Sequence, residues 1–202
     1  MATATETTKT VKIPRSGFVS KTDGARRARR EESVNRFLIN HEGYEFIDGK
    51  LEKREIPTAK HSGIATSLSA EIWFYPKKNK IGRVYGDNTI FQIGANKRIS
   101  DVAFVSLKKI PATGEPMDIW SFAPNIAIEV ISPSERHNEV ERKIGEYFDA
   151  GVRQVWKIIP ELKTLTVYFS ATQTKILIVQ DELTYEEILP KFRLKLSDIF
   201  TD

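Results

Sequence analysis

Ser100-Asp101-Val102-Ala103-Phe104-Val105, then Ile126-Ala127-Ile128-Glu129-Val130-Ile131, then Ser132-Pro133-Ser134-Glu135 and a helical run carrying Lys143, form the stretch that decides the reading of this chain. Each apolar run is short, rich in β-branched residues and bounded by turn-formers, the pattern of a mostly buried strand. Each carries one carboxylate. An ionised carboxylate among Val, Ile and Ala is costly to bury unless something cationic meets it, so two in neighbouring strands point to a shared cation. Alternation puts Ile99, Asp101, Ala103 and Val105 on one face of the first strand, and Glu129 with Ala127 and Ile131 on one face of the second. A small alanine two positions from each carboxylate leaves room for a hydrated ion.

Ser132-Pro133-Ser134-Glu135 has the form of a helix start, with Ser at the N-cap, Pro at the first helical position and Glu closing a capping box. The helix is expected to run to about Ala150, with Gly151 as a left-handed cap. Val140, Ile144, Tyr147 and Phe148 make its apolar stripe, and Lys143 lies about 90° from the stripe's centre, on the flank of Arg136. Its ammonium returns to Glu129 only if this helix folds back over the Glu129 strand.

Towards the N-terminus, a helix is expected from Asp23 or Gly24 through Leu38, ended by His41-Glu42-Gly43. Tyr44 to Ile47 and Lys50 to Ile56 flank Asp48-Gly49, a strong hairpin signal. A second helix fits Thr58 to Tyr75, ended by Pro76, with Ile64, Leu68, Glu71, Ile72 and Tyr75 on one face and His61 at its edge. Glu71 there reads as a rim residue reaching water or a lysine, or else as an accessory active-site carboxylate. His61 reads as a helix-start or packed histidine, or as an accessory site residue. Further strands are expected at Arg83 to Tyr85 and Thr89 to Ile93, with Gly94 to Lys97 turning the chain into the Asp101 strand. On the C-terminal side, Gln154 to Ile159 and Thr164 to Phe169 form a hairpin, Lys175 to Val179 a strand, and Glu186 to Phe200 a tail that packs on the domain.

The 202 residues, 40% of them hydrophobic, can bury a sizeable core. The reading divides them into a basic, partly mobile arm over residues 1 to 32 and one domain over 33 to 202. Neither a membrane span nor a secretory signal is visible, which gives a cytoplasmic expectation. The absence of cysteine excludes disulfides, thiolate zinc sites and cysteine nucleophiles, so any metal is held by oxygen or imidazole. The formal charge of +4 is an N-terminal matter: residues 1 to 36 hold nine cations against four anions. Arg26, Arg27, Arg29 and Arg30 can neutralise phosphates without reading sequence, as can Arg136 and His137; the alternative is a solvated leader.

Carboxylate oxygens with waters suit Mg²⁺ or Mn²⁺, hard ions held together with substrate phosphate oxygens, and a nearby lysine can orient a water or stabilise developing charge. Asp, Glu and Lys are thus a minimal hydrolytic set for a phosphodiester.

These residues also carry a likeness. Asp101 to Val105, Ile128-Glu129-Val130-Ile131-Ser132-Pro133-Ser134, Lys143, Tyr147 and Ala150-Gly151-Val152 with Trp156 resemble the putative restriction endonuclease family, a bacterial branch of the PD-(D/E)XK nuclease superfamily. Tyr44 to Leu51 and His61 resemble that family's N-terminal motif, so the likeness spans about residues 33 to 200. It implies a restriction-endonuclease-like α/β core, a mixed central β-sheet flanked by helices, with an N-terminal β-hairpin and the basic arm, in a homodimer. It implies Asp101 and Glu129 as metal ligands with the Val130 backbone carbonyl, Lys143 as the catalytic lysine, and Glu45 and His61 as accessory residues. Three positions depart from the pattern. Ile131 stands where the superfamily usually has its lysine, so Lys143 would supply the ammonium from the helix. Ser100 replaces the usual proline, and Glu71 falls where the branch has an apolar residue. The expected function is a Mg²⁺-dependent DNA endonuclease, Mn²⁺ serving as well. The alternatives are a nucleic-acid-binding module with little or no catalysis, or a structural role in which Lys143 merely neutralises Glu129.

Overall fold

A computed structural model describes residues 23–200 of the chain. The mobility expected of residues 1 to 24 falls almost wholly outside the described residues. In chain order, α1 (Asp23–Asn40) leads into β1 (Tyr44–Ile47), β2 (Lys50–Lys53), α2 (Ala59–Asn79), β3 (Gly82–Gly86), β4 (Ile90–Ile93), β5 (Asn96–Ile99), β6 (Val102–Ser106) and β7 (Ile126–Val130). Then follow α3 (His137–Asp149), β8 (Gln154–Ile159), β9 (Thr164–Tyr168), β10 (Thr174–Ile178), β11 (Glu182–Tyr185), β12 (Leu189–Lys195) and a 3₁₀ turn at Leu196–Asp198.

β7 is buried at all five positions. It lies inside a six-stranded sheet of order β10-β9-β8-β7-β6-β3 with both faces covered, which is why its sequence is an unbroken apolar run. β6 and β7 are antiparallel, with Val102 opposite Ile128 and Ala103 opposite Ala127. That pairing ends at Val102 and Ile128, with Asp101 and Glu129 the next residue along each chain. β7 and β8 are parallel, and such a pair needs a crossover, which α3 supplies. On one face Val102, Phe104, Ile126, Ile128 and Val130 pack under Ile64, Leu68 and Ile72 of α2 and under the C-terminal residues from Leu183 to Phe200. On the other, Ala103, Val105, Ala127 and Val155 pack against Val140, Ile144 and Tyr147 of α3. The mixed central sheet flanked by helices is the expected architecture.

A second sheet, of order β2-β1-β5-β4, stands beside the first. Its hairpin turns at Asp48 and Gly49, whose φ angles of 49° and 80° are those of the turn that Asp-Gly favours. α1 packs Val34 and Leu38 on Leu51 of this hairpin, and residues 23–32 form the first half of that helix, which begins where the sequence reading expects one. Asn96 to Ile99 does not continue into the Asp101 strand as expected. β5 pairs with β1 and β4, whereas β6 pairs with β3 and β7, so Ser100 and Asp101 form the bend where the chain changes sheets.

Both helix boundaries near the site differ from the expectation. α2 runs through Pro76 to Asn79 and stops at Lys80, in the left-handed region. Pro76 is buried with Ile64, Leu68 and Ile72 along one side of the helix, and that packing carries the helix past the missing amide. α3 begins at His137, because Ser132 to Glu135 closes on itself as a turn: Glu135 N–H donates to the Ser132 carbonyl at 3.0 Å, and Ser132 N–H to Glu135 Oε2 at 2.6 Å. The strand β11 was not anticipated; its polar Glu182 and Thr184 obscure a pairing with β12 that only the fold reveals.

Gly82 lets β3 lie against β6. A Cβ there would fall 2.2 Å from Phe104 Cε2 and 2.6 Å from the Val105 carbonyl oxygen, and the latter belongs to a central strand that cannot yield. Gly82→Ala is expected to destabilise the protein by about 1–3 kcal/mol through overpacking. Urea unfolding would show it as a lower midpoint with an unchanged m value. Among the described residues no helix is long and apolar enough to cross a membrane.

Candidate active site

Asp101 sits at the bend between β5 and β6, 4% exposed, and Glu129 on β7 is equally buried. Asp101 Oδ2 accepts the Val130 N–H at 2.8 Å, a bond from strand backbone that fixes the carboxylate against Glu129's neighbour. Asp101 Oδ1 takes Arg54 Nη2 at 2.6 Å and faces His61 Nε2 at 3.3 Å. Glu129 Oε2 accepts from Lys143 Nζ at 2.7 Å, and Oε1 from the Tyr147 hydroxyl at 2.6 Å. α3 therefore does fold back over β7, and it delivers both Lys143 and, one turn later, Tyr147 to a single carboxylate. Lys143 Nζ also donates to the Ile99 carbonyl at 3.1 Å and lies 3.9 Å from Glu45 Oε1.

Glu45, with Ile47, is on the buried side of β1. Its Oε1 accepts the Ile99 N–H at 2.7 Å and its Oε2 faces Arg98 Nη1 at 3.3 Å. Arg98 in turn clasps Glu146 Oε2 through Nε and Nη2, at 2.9 and 2.8 Å. This layer of alternating charge joins the second sheet to α3 and supports Lys143 from behind. His61 serves two ends at once. Its backbone N–H caps α2 on Thr58 Oγ1 at 3.2 Å, and its ring lies between Asp101 and Ser132 Oγ, 3.4 Å from Nδ1.

The remaining candidates are elsewhere. Glu71 is exposed. The buried residues of α2 follow a strict four-residue ridge, Ile64, Leu68, Ile72 and Pro76, which slants around the helix and away from Glu71, so the apolar side read from the sequence was drawn too wide. Arg26, Arg27, Arg29 and Arg30 line the exposed half of α1, where Arg30 donates to the Gly49 carbonyl at 3.0 Å. Arg136 and His137 are exposed at the start of α3, near Glu139 and Glu141 of their own helix at 3.7 and 3.9 Å.

Arg54, Arg98 and Glu146 were not anticipated. Arg54 lies just past β2, which ends at Lys53 rather than running to Ile56 as expected, and nothing local tells that its side chain turns inward. Arg98 and Glu146 are 48 residues apart and meet only because two sheets do.

The two carboxylates are shifted in opposite directions. Burial works against the charge on Asp101, but hydrogen bonding to His61 and the charges of Lys143 and Arg54 overcome it and hold the carboxyl down at about 2. Burial pushes Glu129 up to about 7; the charge of Asp101 adds to this, and Lys143 and Tyr147 only partly offset it. Lys143 stays raised, since Glu129 and Glu45 outweigh the cost of its burial. Because Glu129 binds a proton in the folded state that the unfolded chain has lost, its contribution to stability is full below about 4.5 and disappears as pH rises to about 7. Asp101 acts oppositely, contributing above about 3.8 and losing that contribution as pH falls towards 2. Glu129→Gln is therefore expected to flatten the decline in stability between pH 4.5 and 7, a difference of up to about 3 kcal/mol in urea titrations with chelator present. An unchanged slope would place the proton elsewhere.

Chemically, the cluster offers a fixed ammonium beside two carboxylates, one firmly ionised and one balanced near neutrality. Among the described residues no group of three or more His, Cys, Asp or Glu side chains is arranged to hold a metal ion; Asp101 and Glu129 are a pair.

Comparison with known proteins bears on both fold and site. A family model described as "Putative restriction endonuclease", Uma2, matches residues 36–197, a span that contains every residue of the cluster. The crystal structure of "a putative nuclease belonging to DUF820" from Anabaena variabilis ATCC 29413 superimposes with a TM-score of 0.71 at 24% identity, over 78% of this chain and 89% of that one. That likeness is one of fold. No curated protein matches the chain significantly.

Proposed function

We propose, on the footing that the chain belongs to the Uma2 family of putative restriction endonucleases, that it is a PD-(D/E)XK-type endonuclease hydrolysing phosphodiester bonds in DNA. The observation that carries the reading is the contact of Lys143 with Glu129 at 2.7 Å, on the strand next to the one that Asp101 leads into. An ammonium is thereby present beside the second carboxylate although Ile131 occupies the usual lysine position.

Asp101, Glu129 and the Val130 carbonyl would hold Mg²⁺ or Mn²⁺. The donor set fits in kind: it is all oxygen, with two carboxylates as Mg²⁺ commonly uses alongside phosphate. Such an ion, when bound, polarises the phosphate and lowers the pKa of a water. Lys143, steadied by Glu129 and the Ile99 carbonyl, orients the attacking water and meets the negative charge that grows on the phosphate oxygens. Glu45 and Arg98 are positioning residues, keeping the Ile99 strand end and α3 in place. Water attacks phosphorus and the 3′ oxygen leaves. Arg26, Arg27, Arg29, Arg30, Arg136 and His137 would contact flanking phosphates. A homodimer would place two such sites on opposite strands, in the cytoplasm where the DNA is.

One observation favours the competing reading of a DNA-binding module without hydrolysis: every oxygen of Asp101 and Glu129 already has a protein partner. Supercoiled plasmid incubated with the full chain separates the two. Nicked and then linear product in Mg²⁺ or Mn²⁺, and none with chelator, is expected. Retarded but uncut DNA in both metals would leave the binding module.

A further inference from the structure

A divalent cation reaching Asp101 meets the positive charge that Arg54 already places on it. The Val130 N–H on Oδ2 belongs to strand backbone. On Oδ1, Arg54 Nη2 stands at hydrogen-bond distance, 2.6 Å, whereas His61 is at 3.3 Å. Of the cations in the cluster Arg54 is the least confined. Its side chain is 24% exposed beside an Asp101 that is 3% exposed, and its other contact is a long one, 3.3 Å from Nη1 to the Asp87 carbonyl. Arg98, at 5%, is held by both Glu45 and Glu146, and Lys143 by Glu129, Glu45 and a backbone carbonyl. The stem of Arg54 is nevertheless anchored, since its backbone N–H donates to the Gly43 carbonyl at 2.8 Å. A released guanidinium would remain at the mouth of the site, and its planar fork suits phosphate oxygens.

We infer that Arg54 is an exchangeable counterion: its guanidinium holds Asp101 in the cation-free protein, a divalent cation takes its place, and the displaced guanidinium binds a phosphate of the DNA. This rests on the metal site proposed above. The exchange lowers apparent cation affinity by the fraction of molecules in which Arg54 is off Asp101; with about a tenth of molecules open, the reduction is about tenfold.

The test is Mn²⁺ binding to the full chain, read from the EPR signal of free Mn²⁺, for wild type, Arg54→Gln, Arg54→Lys and Asp101→Asn, with circular dichroism confirming folding. Arg54→Gln is expected to bind Mn²⁺ about tenfold tighter, Arg54→Lys to stay close to wild type, and Asp101→Asn to lose binding. In Ca²⁺, Arg54→Gln is expected to retard a DNA duplex several-fold less well than wild type. Equal or weaker Mn²⁺ binding by Arg54→Gln overturns the exchange, and unchanged DNA retardation overturns the phosphate contact. If Arg54→Gln does not fold, Mn²⁺ binding by Arg54→Lys tenfold weaker than wild type overturns the exchange, and near-equal binding supports it. Absence of Mn²⁺ binding in every form removes this inference together with the metal site, whereas tighter binding by Arg54→Gln in a protein that cuts no DNA upholds the exchange and removes the nuclease.

Discussion

Replacing Lys143 with alanine is expected to slow plasmid cleavage by about 10³-fold, the scale on which a positioned donor in a water-poor site acts. The side chain is 14% exposed, and its ammonium meets Glu129, the Ile99 carbonyl and, at 3.9 Å, Glu45. Stability should fall too. Removing one partner of a buried ion pair costs about 3–5 kcal/mol when the other charge is stranded. Here Glu129 has a way out, because its carboxyl is already pushed up to about 7 and can take a proton while keeping the Tyr147 bond. The loss should therefore lie at the lower end, about 3 kcal/mol, and the variant should still be folded at 25 °C. Linearisation rate and urea midpoint measured on the same preparation separate chemistry from folding. More than about a tenth of the wild-type rate in a folded variant would take Lys143 out of the reaction.

Asp101→Asn is expected to lose cleavage by about 10³-fold or more, with a much smaller effect on stability. Asparagine keeps an oxygen for the Val130 N–H, so the bend between β5 and β6 stays closed. What it removes is the charge that Arg54 and His61 meet. Arg54, partly exposed, can turn to solvent at a cost of about 1 kcal/mol. The acid limb of the stability profile should shallow in the same variant, since the carboxyl held at about 2 is gone. Cleavage near neutral pH and thermal melting across pH 2 to 8 check both parts.

The central sheet was legible because β7 is buried on both faces and says so in five successive apolar-or-paired residues. So was the neighbourhood of the two carboxylates: the runs after Asp101 and up to Val130 were read as adjacent strands, and β6 and β7 are hydrogen-bonded neighbours. The return of Lys143 depended on one condition, that α3 cross back over β7, and the parallel β8 enforces it. The rest of the cluster depends on the second sheet. Glu45 entered as an accessory residue through the resemblance alone and Arg98 carried no signal; both are buried where β1 and β5 stand against α3. Arg54 lies beyond a strand end with no periodic signal. For Glu71 the sequence was read on an ideal helical wheel, while the packed ridge drifts off it. The start of α3 was misplaced because Ser132 and Glu135 satisfy one another as a turn, leaving the helix to begin after Arg136.

The measurement that bears most directly on Asp101, Glu129 and Lys143 acting as one metal-dependent site is the plasmid cleavage rate, in Mg²⁺, of wild type, Asp101→Asn, Lys143→Ala and the double variant. Groups that act as a unit are non-additive, so the double variant should be no slower than the slower single one by more than about threefold. Wild-type cleavage that survives both single changes within tenfold, or a double variant slowed by the product of the two single effects, would contradict a common site.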